Sequence, residues 1–171
     1  MFELKTTTRV WWQAQVLTLD YLIEGDIDPE KDRALFRMVG HDVQPIPMFN
    51  ARFQSTGPLS APERPVAPWV LVNGDSVVAI IPRDEAGIAN ALQMNGDENN
   101  ASPCEAYVGP YLIRGMVQSP FRDLRFFSGQ VGFVVTDAEI TCLSPGARFS
   151  GLKAPVVMLI SRHKQFLAPI H

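Results

Sequence analysis

The chain is poor in the residues that most often carry chemistry. It has three histidines and two cysteines, and none of them is set at metal-ligand spacing. Cys104 and Cys142 are too few for a disulfide framework. No metal or cofactor is expected. No Gly-rich loop is present to cradle a phosphate. Charged residues make up 19% of the chain and the net charge is −3, far from the Lys/Arg excess that strong phosphate binding draws on. The longest apolar runs reach about half a membrane span, and the polar stretch Glu3–Arg9 lacks the apolar core of a signal peptide. The expectation is a cytoplasmic protein without membrane contact, for which the sequon Asn100-Ala101-Ser102 carries no meaning.

What the chain does have is a pattern that occurs twice. Tyr21-Leu22-Ile23-Glu24-Gly25 returns as Tyr111-Leu112-Ile113-Arg114-Gly115, a shift of 90. Phe49-Asn50-Ala51-Arg52-Phe53 is echoed by Thr136-Asp137-Ala138-Glu139-Ile140, and Pro68–Val72 with Pro82 by Pro155–Leu159 with Pro169, both at a shift of 87. Three blocks in the same order point to tandem duplication. The division is 1–82 as the first unit, 83–103 as a linker and 104–171 as the second unit. Each unit is near the size at which a lone core is marginal, so the halves are expected to pack together or the chain to oligomerise. Hydrophobic residues at 46% supply ordinary globular content. The first unit holds 7 Lys/Arg against 10 Asp/Glu and the second 7 against 4. That asymmetry suits head-to-tail docking, although a solvated surface is the plainer reading.

The elements read as mainly β. Val10–Ile27 alternates apolar and polar residues like one long strand, with Gly25 as a bulge or bend. Pro29 opens a short helical insert over Glu30–Val39 that ends at Gly40, and Pro120–Phe127 carries its counterpart. Ile46–Gln54 is the next strand. Ser55–Pro68, with Pro58, Pro62 and Pro65, is loop. Asn73-Gly74 between Trp69–Val72 and Asp75–Ile81 predicts a tight hairpin, because both turn residues tolerate positive φ. Asp84 is a helix cap for residues reaching Met94. The second unit offers strands at Glu105–Val117, Gln130–Leu143, Pro155–Ser161 and Gln165–Ala168.

Several constellations have the composition of chemical sites. Gly74-Asp75-Ser76 resembles the start of one hydrolase family, but that nucleophile needs a strand-to-helix turn and a His partner, and a β run follows Ser76. Asp26, Asp28, Glu30 and Asp32 alternate like a calcium loop, yet Lys31 stands where its Gly belongs and Arg37 where its Glu belongs. His41-Asp42 has the composition of a general-base pair, but it follows Gly40 in a stretch that reads as loop. Trp11-Trp12 points one ring to each face of a strand, which leaves core packing or a ligand platform open, as do Phe121, Phe126 and Phe127.

The ending Val70-Leu71-Val72-Asn73-Gly74-Asp75-Ser76-Val77-Val78-Ala79-Ile80 is similar to the second motif of Sm-like barrels, and Tyr21–Ile27 and Phe49–Phe53 resemble the earlier Sm strands. The chain also looks like a bacterial family of tandem Sm-like small β-barrel domains. That resemblance implies two tandem Sm-like barrels or rolls related by internal duplication, with short helical inserts. The RNA-contacting signature is only partly echoed. Met48-Phe49-Asn50 stands near its loop, and Asn73-Gly74 and Arg162-His163 stand at the turn before the last strand. If RNA binding survives, Asn50, Asn73, Arg162 and His163 are its positions. The leading expectation is a non-enzymatic binding or assembly module that uses open strand edges for self-association or a protein partner. Nucleic-acid binding through the basic second unit comes next, and a hydrolase or small-ligand enzyme built on Ser76 or His41 last.

Overall fold

The apolar alternation of Val10–Ile27 is folded back on itself. In the computed structural model, which describes residues 11–28, 45–57, 66–93, 101–118, 132–149, 151–160 and 164–169, strands β1 (Trp12–Thr18) and β2 (Tyr21–Ile27) form an antiparallel hairpin. The Thr18 hydroxyl makes the turn: it accepts from Tyr21 N at 3.0 Å and donates to Tyr21 O at 3.1 Å. Such a side chain competes locally with the ladder and ends the strand. The expected single strand Glu105–Val117 is divided in the same way at Gly109-Pro110, where Gly109 has φ +56°. Alternation alone does not reveal the turn, because each arm keeps an apolar face.

The remaining elements are β3 (Ile46–Ser55), β4 (Ala67–Val72), β5 (Val77–Pro82), α1 (Glu85–Gln93), β6 (Ala101–Val108), β7 (Tyr111–Gln118), β8 (Gly132–Cys142), β9 (Leu152–Ile160) and β10 (Lys164–Pro169). All ten strands of the described residues belong to one sheet in the order β10-β6-β7-β8-β9-β5-β1-β2-β3-β4. Every neighbouring pair is antiparallel. The first five strands run 5-1-2-3-4, and the second five run in the matching order. The halves therefore share a sheet, joined where Ala79 faces Leu159 and Ile80 faces Met158.

The predicted Asn-Gly hairpin does not form. Asn73 has φ −64° and ψ 120°, and its side chain accepts from Asp75 N, capping a 3₁₀ turn at Gly74–Ser76. A two-residue hairpin of the tight type needs positive φ at both turn residues. Here β5 instead leaves β4 and pairs with β1 and β9. Asp84 does cap α1, accepting from Gly87 N at 2.7 Å, and its other oxygen accepts from Gln13 N at 2.8 Å. The segment 83–103 thus holds a helix and the first residues of β6. The helical inserts expected at Glu30–Val39 and Pro120–Phe127 lie outside the described residues.

Local devices recur at the offsets of the sequence pattern. The β2–β3 register slips between Glu24 and Asp26, and the β7–β8 register slips between Arg114 and Met116. A Cβ on Gly25 would stand 2.7 Å from Phe49 O, and one on Gly115 would stand 2.6 Å from Thr136 O. Only glycine fits so close an approach. Opposite these bulges Asn50 (φ 52°) and Asp137 (φ 49°) take the left-handed conformation, which short polar side chains tolerate best. Thr56 N donates to Asp20 O, and Leu143 N donates to Pro110 O.

Each hydrophobic core draws on both halves. Val134, Val156, Met158 and Ile160 join Ala14, Val16, Val77 and Ile80. Leu17, Ala79 and Ile81 join Ala106, Ile113, Val157 and Leu159. Strands β5 and β9 are therefore covered on both faces, as their unbroken apolar runs Val77–Ile81 and Val156–Ile160 require. Tyr111 ties the halves with polar contacts. Its hydroxyl donates to Thr18 O at 2.8 Å and lies 2.6 Å from the Thr56 hydroxyl.

Candidate functional site

The outer face of β3 and β4 is built by simple alternation. In β3–β4 the pairs Ile46–Val72 and Met48–Val70 point into the first core, so Pro47–Leu71 and Phe49–Trp69 point out. Trp69 is 66% exposed and Leu71 59%. Trp11 packs edge-on against Phe49 with ring centroids 4.9 Å apart. Trp12, its neighbour, is buried. The two tryptophans thus divide between faces, as expected for successive strand residues. Strand β4 stands at the end of the strand order and carries no charged residue over Ala67–Val72. Proteins that keep an edge unpaired usually place charge there. Only Pro68 interrupts this edge.

Polar residues occupy the other part of this outer face. A cleft of about 440 Å³ is lined by Gln13, Glu24, Asp26, Asn50, Arg52 and Arg83, with Gly25 beside them. Asn50 Nδ2 donates to Asp26 Oδ2 at 2.9 Å. The corresponding bulge in the second half borders a cleft of about 360 Å³ that includes Asp137, Glu139 and Lys153. Beside that bulge, Arg114 donates to Glu105 at 2.6 Å across β6–β7, an exposed pair whose net contribution is small.

Two buried groups, Tyr111 and Cys104, are held neutral. Burial pushes the Tyr111 phenol up to about 12, although the Thr56 hydrogen bond works in the opposite direction. Burial, with the Glu105 charge second, pushes the Cys104 thiol up to about 11. A thiol so raised is a poor nucleophile at neutral pH. Cys104 and Cys142 are both free. Among the described residues no group of three His, Cys, Asp or Glu could hold a metal ion.

Of the residues expected at an RNA site, Asn50 and Asn73 are both exposed, but each is committed locally, Asn50 to Asp26 and Asn73 to Asp75 N. Ile46 faces Val72, so the two asparagines are separated by about five residues of strand, roughly 17 Å. Arg162 and His163 lie outside the described residues, as does His41. The Ser76 hydroxyl donates to Asn73 O at 2.7 Å and serves the 3₁₀ turn. Among the described residues no helix is long and apolar enough to cross a membrane.

The outward pair Trp69 and Leu71 was missed at the level of sequence. The signal that could have found it is a comparison of the repeated blocks at their offset: Val156 and Met158 occupy the same places as Trp69 and Leu71.

Compared with known proteins, the chain matches no family model, no curated protein and no solved structure.

Proposed function

We propose that the chain is a non-enzymatic protein-binding and assembly module made of two Sm-like units, working through the edge of β4 and the apolar face beside it. One observation carries this reading. Trp69 and Leu71 stand exposed on an uncharged edge strand, while Val156 and Met158 at the corresponding positions of β9 are 2% and 4% exposed. Large aromatic and aliphatic groups beside an unpaired strand are what a partner strand and its side chains cover. The matching strand order of the halves, their paired bulge glycines and the positive φ at Asn50 and Asp137 support the duplicated Sm-like unit.

Nucleic acid fits this surface less well. Phosphate entering the cleft at Asn50 would meet Glu24 and Asp26 beside Arg52 and Arg83, and counterion release rewards uninterrupted cationic contacts.

Oxidative footprinting of Trp69 tests the reading. The ring should oxidise rapidly in the purified chain at nanomolar concentration and slowly in intact cells that produce it. Nuclease treatment of a freshly opened lysate should leave the protection in place. A Trp69 that oxidises equally fast in cells would remove the edge as the working surface, and protection lost with nuclease would favour the nucleic-acid reading.

A further inference from the structure

The internal junction between β5 and β9 is a worked example of what covers such an edge. In each half the fourth strand is followed by a fifth that crosses to the far side of its unit, so each half has a fourth-strand edge and a fifth-strand edge. Inside the chain the fourth-strand edge of the second half, β9, meets the fifth-strand edge of the first, β5. Left over among the described residues are the fourth-strand edge of the first half, β4, and the fifth-strand edge of the second, β10. They are the same complementary pair, on one molecule but at opposite ends of its sheet.

We propose that the occupant of the β4 edge is a second copy of this chain, which presents β10 antiparallel to β4 in the register of the internal junction. This rests on the reading of β4 as a binding edge. The register follows from the offset of 87 between the blocks. Ala79 facing Leu159 and Ile80 facing Met158 become Phe166 facing Val72 and Leu167 facing Leu71. Trp69 and Leu71 then take the places of Val156 and Met158, which at the internal junction join the core around Ala14 and Val16. In the second copy the residues at those core positions are Cys104 and Ala106, both buried.

Three further observations agree with this occupant. The prolines fall alike: Pro68 matches Pro155 and Pro82 matches Pro169, so the new pair meets no obstacle that the internal one lacks. The exposed Leu143 stands where Thr56 stands in the first half, and Thr56 is buried against Tyr111 at the internal junction. In the second copy Leu143 lies where Tyr21, the counterpart of Tyr111, would reach it. The charges also complement: the acidic first half offers β4 and the basic second half offers β10. The contact is heterologous, so copies add head to tail and close into a ring or extend.

The test uses the full chain with Cys104→Ala and Cys142→Ser, which install the residues found at the matching positions of the first half, Ala14 and Ser55. Two measurements are made: mass by light scattering, and cross-linking through Val72→Cys and Phe166→Cys under mild oxidation. The expected result is a multiple of the 19.0 kDa chain mass. Leu71→Lys should weaken association at least about thirty-fold and leave the circular dichroism of the monomer unchanged. Interchain disulfides should form when both cysteines are present on one chain, or when one chain carries each, and not with Val72→Cys alone. Efficient cross-linking by Val72→Cys alone would overturn the proposal in favour of β4 pairing with β4, while the binding edge stands. A monomer at every concentration up to about 100 µM, well above the micromolar range of ordinary association, would also overturn it. A Trp69 still protected in cells would then assign the edge to a different protein. A multimer indifferent to Leu71→Lys, with no Val72–Phe166 disulfide, would overturn the proposal and count against the edge reading together.

Discussion

Strands β9 and β4 occupy the same place in their respective halves and live in different surroundings. β9 is interior, with β8 on one side and β5 on the other, and both of its faces are covered over Val156–Ile160. Among the described residues β4 has β3 on one side only. Its inner residues Val70 and Val72 belong to the first core, and its outer residues Trp69 and Leu71 face outward. The apolar character of the outer row is kept in both strands, although that row is buried in β9 and exposed in β4. Side chains of this size left uncovered give up about 1.5–3 kcal/mol each of burial. The difference between the strands is thus what stands against them, and the similarity is the apolar outer row that both carry.

The sharpest way to break the comparison is to put the same charge at both places. Met158→Lys buries an ammonium between the halves and should cost at least about 3 kcal/mol. Leu71→Lys on the isolated chain should change stability by no more than about 0.5 kcal/mol. Urea unfolding of the two variants at low protein concentration measures both. Equal costs would mean that β4 is already covered within one chain.

The bulges come next in size. Gly115→Ala would set a Cβ 2.5 Å from Val135 Cγ1 and 2.6 Å from Thr136 O, whereas Gly25→Ala meets only Phe49 O under 3.0 Å. Overpacking of this kind costs about 1–3 kcal/mol. Thermal unfolding should rank Gly115→Ala below Gly25→Ala, and both below the parent.

Tyr111→Phe removes the hydroxyl that spans the halves, with an expected loss of about 1–3 kcal/mol because Thr18 O and the Thr56 hydroxyl lose a buried partner. The pH dependence has a definite sign. The folded phenol lies at about 12, above its ordinary 10.0, so its contribution is complete below pH 10 and is lost as the pH rises toward 12. Denaturant titrations across that window should show a steeper fall for the parent than for Tyr111→Phe. The Cys104 thiol, raised to about 11 from 9.0, adds a fall of the same sign beginning near pH 9 in both proteins. The smallest effect is chemical: at pH 8 a disulfide reagent should modify the half-buried Cys142 well before Cys104. Equal rates would mean that the second core opens readily.

The sequence pattern made much of this arrangement legible. The offsets of 90 and 87 pair Gly25 with Gly115 and Asn50 with Asp137, and the structure gives each pair the same backbone role. Asp84 read as a cap because a carboxylate before a helix satisfies free amides. Three features were not visible for physical reasons. The β1–β2 turn at Leu19-Asp20 is made by the Thr18 hydroxyl and lacks the Asn-Gly chemistry that normally signals a hairpin. Asn73-Gly74 has that chemistry but uses it to cap a 3₁₀ turn, since β5 is drawn to β1 and β9. The junction was encoded in runs apolar on both faces, Val77–Ile81 and Val156–Ile160, which distinguish an interior strand from an edge. The exposed row of Trp69 and Leu71 only acquires meaning once those runs are known to meet.

Amide hydrogen exchange on β4 and β9, followed as protein concentration is raised from nanomolar to about 100 µM, tests the central claim most directly. The account predicts β9 amides that are slow at every concentration and β4 amides that are fast when dilute and slow when concentrated. Amides of β4 that exchange rapidly across the whole range would contradict it.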